Sequence, residues 1–267
     1  MKLIHAFFGA VLVAGASGRS CCAAEPSPPN PHFLACAEPK VLTGTIYAKD
    51  TAHAQGLFRF RRTVTPAGPQ ITVLREFTYP EGKPAAREQV TYGTNGLVSY
   101  SLEELQIGAA GGVVVNREPG NPAKGRLVFT YNRDVAGGGK PRTSTEAWRR
   151  DTLVTDMVGP FLAQHWAELA RGEKVRCRMV VVPRRETVGF TFSRQEQAAY
   201  HGRRAVILRM EATSPIIARL VDPLYFTVEE EAPHRVFQFV GRMTPKVKAN
   251  GAWQDLDARM VIDWPGL

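Results

Sequence analysis

The sequence predicts a mostly β fold: an antiparallel curved sheet, a half-barrel or barrel, packed against a central helix. Three observations predict it. Apolar residues alternate with period two in one run after another, the signature of strands with one buried face. Clusters of Gly and Pro separate those runs at hairpin spacing. One stretch in the middle of the chain carries an apolar stripe at helical spacing.

In chain order, the first strand-like run is Lys40–Ala48, ending in Thr43-Gly44-Thr45-Ile46-Tyr47. In Gly56–Val64, Phe58, Phe60 and Arg62 alternate with Leu57, Arg59 and Arg61. In Gln70–Tyr79, Ile71, Val73, Arg75, Phe77 and Tyr79 share one face. Pro66–Pro69 and Pro80–Pro84 read as turns. Ala85–Tyr92, Gly96–Leu102, Gly112–Asn116 and Gly125–Tyr131 continue the series. Gly137-Gly138-Gly139-Lys140-Pro141 reads as a hairpin tip and not a phosphate loop, because Pro141 stands where that motif needs Ser or Thr. Asp151 can cap a helix starting at Thr152, which Gly159-Pro160 is expected to interrupt. A second segment, Pro160–Arg171, aligns Phe161, Leu162, His165, Trp166 and Leu169 on one stripe and ends at Gly172. Further strands are expected at Glu173–Val182, Glu186–Phe192 and Arg203–Glu211. Ser214-Pro215 signals a short helix through Leu220. Leu224–Glu229 and Arg235–Gly241 read as a hairpin, and Met260–Asp263 as a last strand.

The N-terminus points to export. Met1-Lys2 precede an apolar run, Leu3–Ala16, that is shorter than the about 20 residues a membrane-spanning helix needs. Cys22-Ala23-Ala24 supplies small residues for cleavage after Ala24. The expected organisation is therefore a signal peptide at 1–24, a flexible Pro-rich leader at 25–39 and a single β-rich domain at 40–267. The expected location is the periplasm or the exterior. A lipid-modified Cys21 or Cys22, anchoring the protein in the envelope, is the alternative. Loss of Lys2 and Arg19 takes the formal charge from +9 to +7. The positive residues are scattered, with no run of like charge and no aromatic–basic repeat, so a nucleic-acid partner is not expected. An anionic lipid surface remains compatible with the charge. No transmembrane segment is expected in the mature chain, and its oligomeric state is open. Cys36 and Cys177 are the cysteines of that chain; in an oxidising compartment they could pair, a question the sequence leaves open, and they lack the spacing of a metal site.

No constellation of catalytic residues stands out. His165 shares a helix face with Phe161 and Leu169 and follows Asp156, the outline of a base oriented by a carboxylate, but a histidine on an apolar stripe reads first as packing. Glu103-Glu104 and Glu229-Glu230-Glu231 are adjacent, and neighbouring strand residues point to opposite faces. Arg184-Arg185 reads as a charged turn, or as a clamp for an anion. No metal and no cofactor is implied. Thr213–Phe226 is the unusual segment: a short helix with Ile216, Ile217 and Leu220 feeds an aromatic strand, either as an end plug or as a movable wall. If it is a wall, an apolar pocket is expected against Trp166, Ile216, Ile217, Leu220 and Phe226.

The layout, with RRETVGF at 184–190, RMEATSPIIARLVDPLYFTV at 209–228 and RVFQFVGRMTP at 235–245, resembles uncharacterised secreted bacterial proteins of unknown-function families. It is also similar to the incomplete β-barrels of LolA/LolB-like periplasmic lipoprotein carriers. In those, a curved sheet and helices enclose an apolar cavity. The similarity spans residues 40–245 in layout, and no motif of that family matches residue by residue. It therefore implies a cavity but assigns no residue. The leading expectation is a noncatalytic exported protein that binds an apolar or amphipathic, lipid-like ligand. The alternatives are an envelope interaction protein with a filled core, and an enzyme assembled from residues such as His165, Asp156 and Arg184.

Overall fold

A computed structural model describes residues 36–49, 55–219 and 221–266. The expected signal peptide, most of the leader and Leu220 lie outside the described residues. The first half of the chain is a meander of eight antiparallel strands. They are β1 (Val41–Ala48), β2 (Phe58–Ala67), β3 (Gln70–Thr78), β4 (Pro84–Gly93), β5 (Gly96–Glu104), β6 (Ala109–Glu118), β7 (Asn121–Asn132) and β8 (Arg142–Ala147). A short strand, β9 (Thr152–Leu153), leads through a 3-10 turn (Thr155–Met157) into α1 (Val158–Gln164) and α2 (Trp166–Ala170). A second meander follows: β10 (Val175–Val181), β11 (Glu186–Tyr200), β12 (Arg203–Ala212), β13 (Leu224–Glu229), β14 (Val236–Ala249) and β15 (Ala252–Asp263). The four-residue α3 (Pro215–Ala218) bridges β12 and β13.

All fifteen strands belong to one sheet, because β15 returns to pair with β1 and so joins the two meanders. Every neighbouring pair is antiparallel except β9 with β10. The sheet is curved but unclosed, with β8 at one end and β9 at the other. Side chains bridge the gap instead of a ladder. The Thr187 amide donates to both carboxylate oxygens of Glu146 at 3.1 Å, and the Thr187 hydroxyl donates to the same group at 2.6 Å. The Ser144 hydroxyl donates to the Arg185 carbonyl.

The alternation read from sequence is the burial observed. In β2 the buried face is Phe58, Phe60, Arg62 and Val64, and in β3 it is Ile71, Val73, Arg75 and Phe77. Turn chemistry sets the register. Asn250-Gly251 and His201-Gly202 form two-residue hairpin turns with positive φ at both positions (51° and 79°, 47° and 77°), and their twist matches that of the flanking strands. Gly137–Lys140 lies in the loop joining β7 to β8, as expected of a hairpin tip.

The central helix departs from expectation. Thr152 and Leu153 do not start a helix; they pair in parallel with Arg178 and Met179. Gly159-Pro160 does not interrupt one either. Both fall in the first turn of α1, where amides have no intrahelical acceptor and a proline removes nothing. The break comes at His165 (φ −99°, ψ 19°), which divides α1 from α2. Val154, Met157, Phe161, Leu162 and Leu169 are buried in the larger core, so the helical segment fills the hollow of the curved sheet. A smaller core gathers around Ile46, Phe58, Phe77 and Leu256.

Candidate functional site

Between the two cores lies a cavity of about 910 Å³. Its size is within the range of small-molecule sites. Strands wall it with i, i+2 pairs that point the same way: Phe60 and Arg62, Arg75 and Phe77, Leu224 and Phe226, Met260 and Ile262. α1 closes another side with Val158, Pro160 and Ala163 while burying Phe161 and Leu162 behind them. The described interior is thus not filled by side chains, and most of the wall is aromatic or aliphatic.

One part of the wall is charged. Arg62, Arg75 and Glu88 are successive cross-strand partners on β2, β3 and β4. Two guanidinium groups side by side repel, and each is answered by a carboxylate. Asp156, on the 3-10 turn, accepts from Arg62 Nε at 2.6 Å and Nη2 at 3.3 Å, and from the Tyr92 hydroxyl at 2.9 Å. Glu88 accepts from Arg75, from the Thr155 hydroxyl at 2.8 Å and from the Thr244 hydroxyl. The Arg75 guanidinium also lies 5.3 Å from the centre of the Phe60 ring. Both pairs are buried, so their worth depends on this full set of hydrogen bonds. Burial works against the charge of Arg62, but the Asp156 carboxylate outweighs it and holds the guanidinium above its ordinary pKa.

Arg62 also holds the segment that precedes β1. Its Nη1 donates to the Pro39 carbonyl at 2.8 Å, and its Nη2 donates to the Cys36 carbonyl. Cys36 and Cys177 are both buried and unpaired with each other. Burial, and then the charge of Asp156, pushes the Cys36 thiol up to about 12; burial does the same to Cys177. Thiolate is the reactive form, so both thiols should resist alkylation. Iodoacetamide labelling of the native protein near pH 8 is expected to be at least about a hundredfold slower than in denaturant. Equal rates in the two conditions would contradict the packing described.

The rim has a different chemistry. His234 has a left-handed backbone (φ 60°), and its ring stacks on Trp166 at 4.3 Å between centroids. Arg235 pairs with Glu229 at 3.2 Å and sits 5.9 Å from the centre of the Trp264 ring. The Trp264 indole N–H donates to the Val236 carbonyl at 2.8 Å, which anchors the ring at the opening.

Of the residues expected to border the pocket, Phe226 is on the wall. Trp166 stands one layer back, behind His234. Ile217 packs on the larger core, and Ile216 is 75% exposed; neither lines the cavity. Leu220 is outside the described residues. A four-residue helix spanning a strand connection offers too little surface to wall the space, and β13 and β14 do so instead. The other candidates do not converge. His165 Nδ1 contacts Glu168 at 3.3 Å, Asp156 faces Arg62, and Arg184 pairs with Glu186 on the surface. Among the described residues, no three His, Cys, Asp or Glu side chains gather as metal ligands. No described helix is long and apolar enough to cross a membrane, which says nothing of a strand-based span. The sequence reading missed Arg62, Arg75 and Glu88 as a unit, although the alternation placed both arginines on apolar faces.

The fold and cavity define a mostly β protein built on one large, curved and unclosed sheet with a short helical segment inside. No family model matches the chain, and no curated protein matches it. Among solved structures it is similar, at 10% identity and a TM-score of 0.36, to a β-barrel-like protein of a domain of unknown function, DUF1849, from Brucella abortus. The match covers 84% of this chain and 95% of that one. The resemblance is therefore weak, and it is to an uncharacterised barrel-like family.

Proposed function

We propose that this is an exported, single-domain protein that holds an apolar or amphipathic, lipid-like ligand in the cavity between its two cores. The observation that carries the reading is the space itself, about 910 Å³ walled mainly by Phe, Met, Leu, Ile and Val. Voids of this size are rare in close-packed interiors, where any lining atom without a partner loses its dispersion contacts. An occupant of matching polarity restores them. The wall has a polar stretch at Arg62, Arg75, Thr155, Asp156 and Thr244, which suits an amphipathic molecule better than a pure hydrocarbon. The apolar N-terminal run and the small residues at Cys22-Ala23-Ala24 support export to the periplasm or the exterior, with a lipid anchor at Cys21 or Cys22 as the alternative.

A fluorescent long-chain fatty acid is expected to bind the purified mature protein and to be displaced by its unlabelled counterpart. Met243 lies on the wall, within the β14 bulge where the ladder is interrupted, so it can be enlarged without breaking strand pairing. Met243→Trp should fill part of the space and weaken binding about tenfold, which is ~1.4 kcal/mol. Ile216→Ser, on the exposed α3, should leave binding unchanged. Absence of binding by any lipid-like probe would end the proposal, and an effect of Ile216→Ser in place of Met243→Trp would move the site to α3.

A further inference from the structure

Resting on that reading, we infer that the ligand is an anionic amphiphile whose carboxylate or phosphate headgroup is bound at the rim by Arg235, next to His234. The cavity lining contains four arginines, Arg62, Arg75, Arg235 and Arg242, against two carboxylates, Glu38 and Asp156. Three of the four guanidinium groups have carboxylates to match. Asp156 holds Arg62, Glu88 holds Arg75, and Arg242 bonds both Asp255 (2.5 Å) and Asp257 (3.0 Å). Arg235 differs. Its partner Glu229 is shared with Arg203, whose Nη1 is 2.9 Å from the other carboxylate oxygen. One carboxylate between two guanidinium groups leaves one positive charge uncompensated within the triad.

The position of that charge fits a headgroup. Arg235 is half-buried where the wall meets solvent, beside the exposed Pro233 and Pro265, and the buried Phe226 and Met210 lie further in. A ligand lying with its chain among the apolar side chains would bring its polar end to this rim. Trp264 flanks Arg235, and Trp166 backs His234, so the charged edge is held by aromatic surfaces. The planar guanidinium can donate two parallel hydrogen bonds to either a carboxylate or a phosphate. The His234 Nδ1 faces the Glu229 carbonyl at 3.3 Å, an acceptor only, so its proton sits there and fixes the ring beside Arg235.

The test compares three probes with one chain: lauric acid, lauryl phosphate and lauryl alcohol, each displacing a fluorescent fatty acid from the mature protein. At least one of the two anions is expected to bind about tenfold more tightly than the alcohol, and which one does identifies the headgroup. Arg235→Gln should abolish that preference, lowering the affinity for the anions far more than that for the alcohol. The variant should fold, since Glu229 keeps Arg203 and no carboxylate is left without a cation. Arg235→Lys keeps the charge but loses the fork, and should retain only part of the preference. Equal binding of all three probes, or an anion preference that survives Arg235→Gln, would overturn the headgroup assignment and leave the apolar cavity reading standing. Failure of all three to bind would overturn both.

Discussion

Asp156→Ala should destabilise the protein by about 3–5 kcal/mol, the cost of leaving a buried charge without its partner. Asp156 is 8% exposed and accepts three hydrogen bonds, two from Arg62 and one from Tyr92. Without it, the Arg62 guanidinium stays buried with only the Pro39 and Cys36 carbonyls to satisfy it. The Tyr92 hydroxyl loses its acceptor as well. The double variant Arg62→Met/Asp156→Leu removes both charges and is expected to cost far less, because two apolar side chains need no solvation. Chemical denaturation of Arg62→Met, Asp156→Leu and the double variant measures the coupling directly. A loss below about 1 kcal/mol for Asp156→Ala would show that the pair is screened by water, as surface pairs are. The site should respond too. Asp156 ties the 3-10 turn to β2, and Val158 of α1 follows on the cavity wall, so a loosened turn should weaken probe binding in parallel.

That pair shows how much of the site was legible in the sequence. Period-two alternation placed Arg62 with Phe58 and Phe60, and Arg75 with Ile71, Val73 and Phe77, and the structure buries all of them together. Alternation reaches no further, because a buried arginine is recognised by its partner. The partners come from 94 residues away for Arg62 and from the next strand for Arg75. Local pattern carries the face of a strand. It carries no information on which distant carboxylate meets it. Arg62 belongs to the scattered positive residues of the sequence, yet with Arg75 it forms part of the polar stretch of an interior wall.

The architecture followed the same division. Strands with apolar alternation and Gly/Pro turns were legible, including Leu224–Glu229 at its observed bounds. β8, Arg-Thr-Ser-Thr-Glu-Ala, was not, because an edge strand with no buried apolar face has no alternation to read. β14 and β15 extend well beyond the strands expected there, meeting at Asn250-Gly251. That dipeptide is a strong hairpin signal and could have found them. Trp166, Ile216 and Ile217 were grouped because the concave face of a curved sheet needs cover, which the helix stripe and the short apolar segment can supply. The return of β15 to β1 decides which strands surround the hollow, and it depends on contacts more than 200 residues apart in sequence.

The curl of the sheet depends on close backbone approach, and Gly111→Ala should cost about 3 kcal/mol. Gly111 lies in β6 opposite Tyr131 of β7 and Leu102 of β5. A Cβ there would stand 2.3 Å from the Thr130 carbonyl oxygen and 2.8 Å from the Tyr131 Cα. Both obstacles are backbone, so no side chain can swing aside, and the two strands must separate or flatten. Glycine at a bend or close crossing of strands serves this purpose. Gly120→Ala, in the turn between β6 and β7, is the control. There a Cβ meets nothing within 4 Å, and the positive φ of 74° costs only about 1 kcal/mol. A loss for Gly111→Ala no larger than that for Gly120→Ala would show that crowding does not set the effect. If crowding sets it, the consequence should extend beyond β6. β7 carries β8, whose Ser144 and Glu146 reach across the open seam to Arg185 and Thr187. Displacing β7 should pull those contacts apart, and hydrogen exchange at the Thr187 amide should rise in Gly111→Ala more than in Gly120→Ala. Unchanged protection at Thr187 would mean that the seam is held independently of the curl.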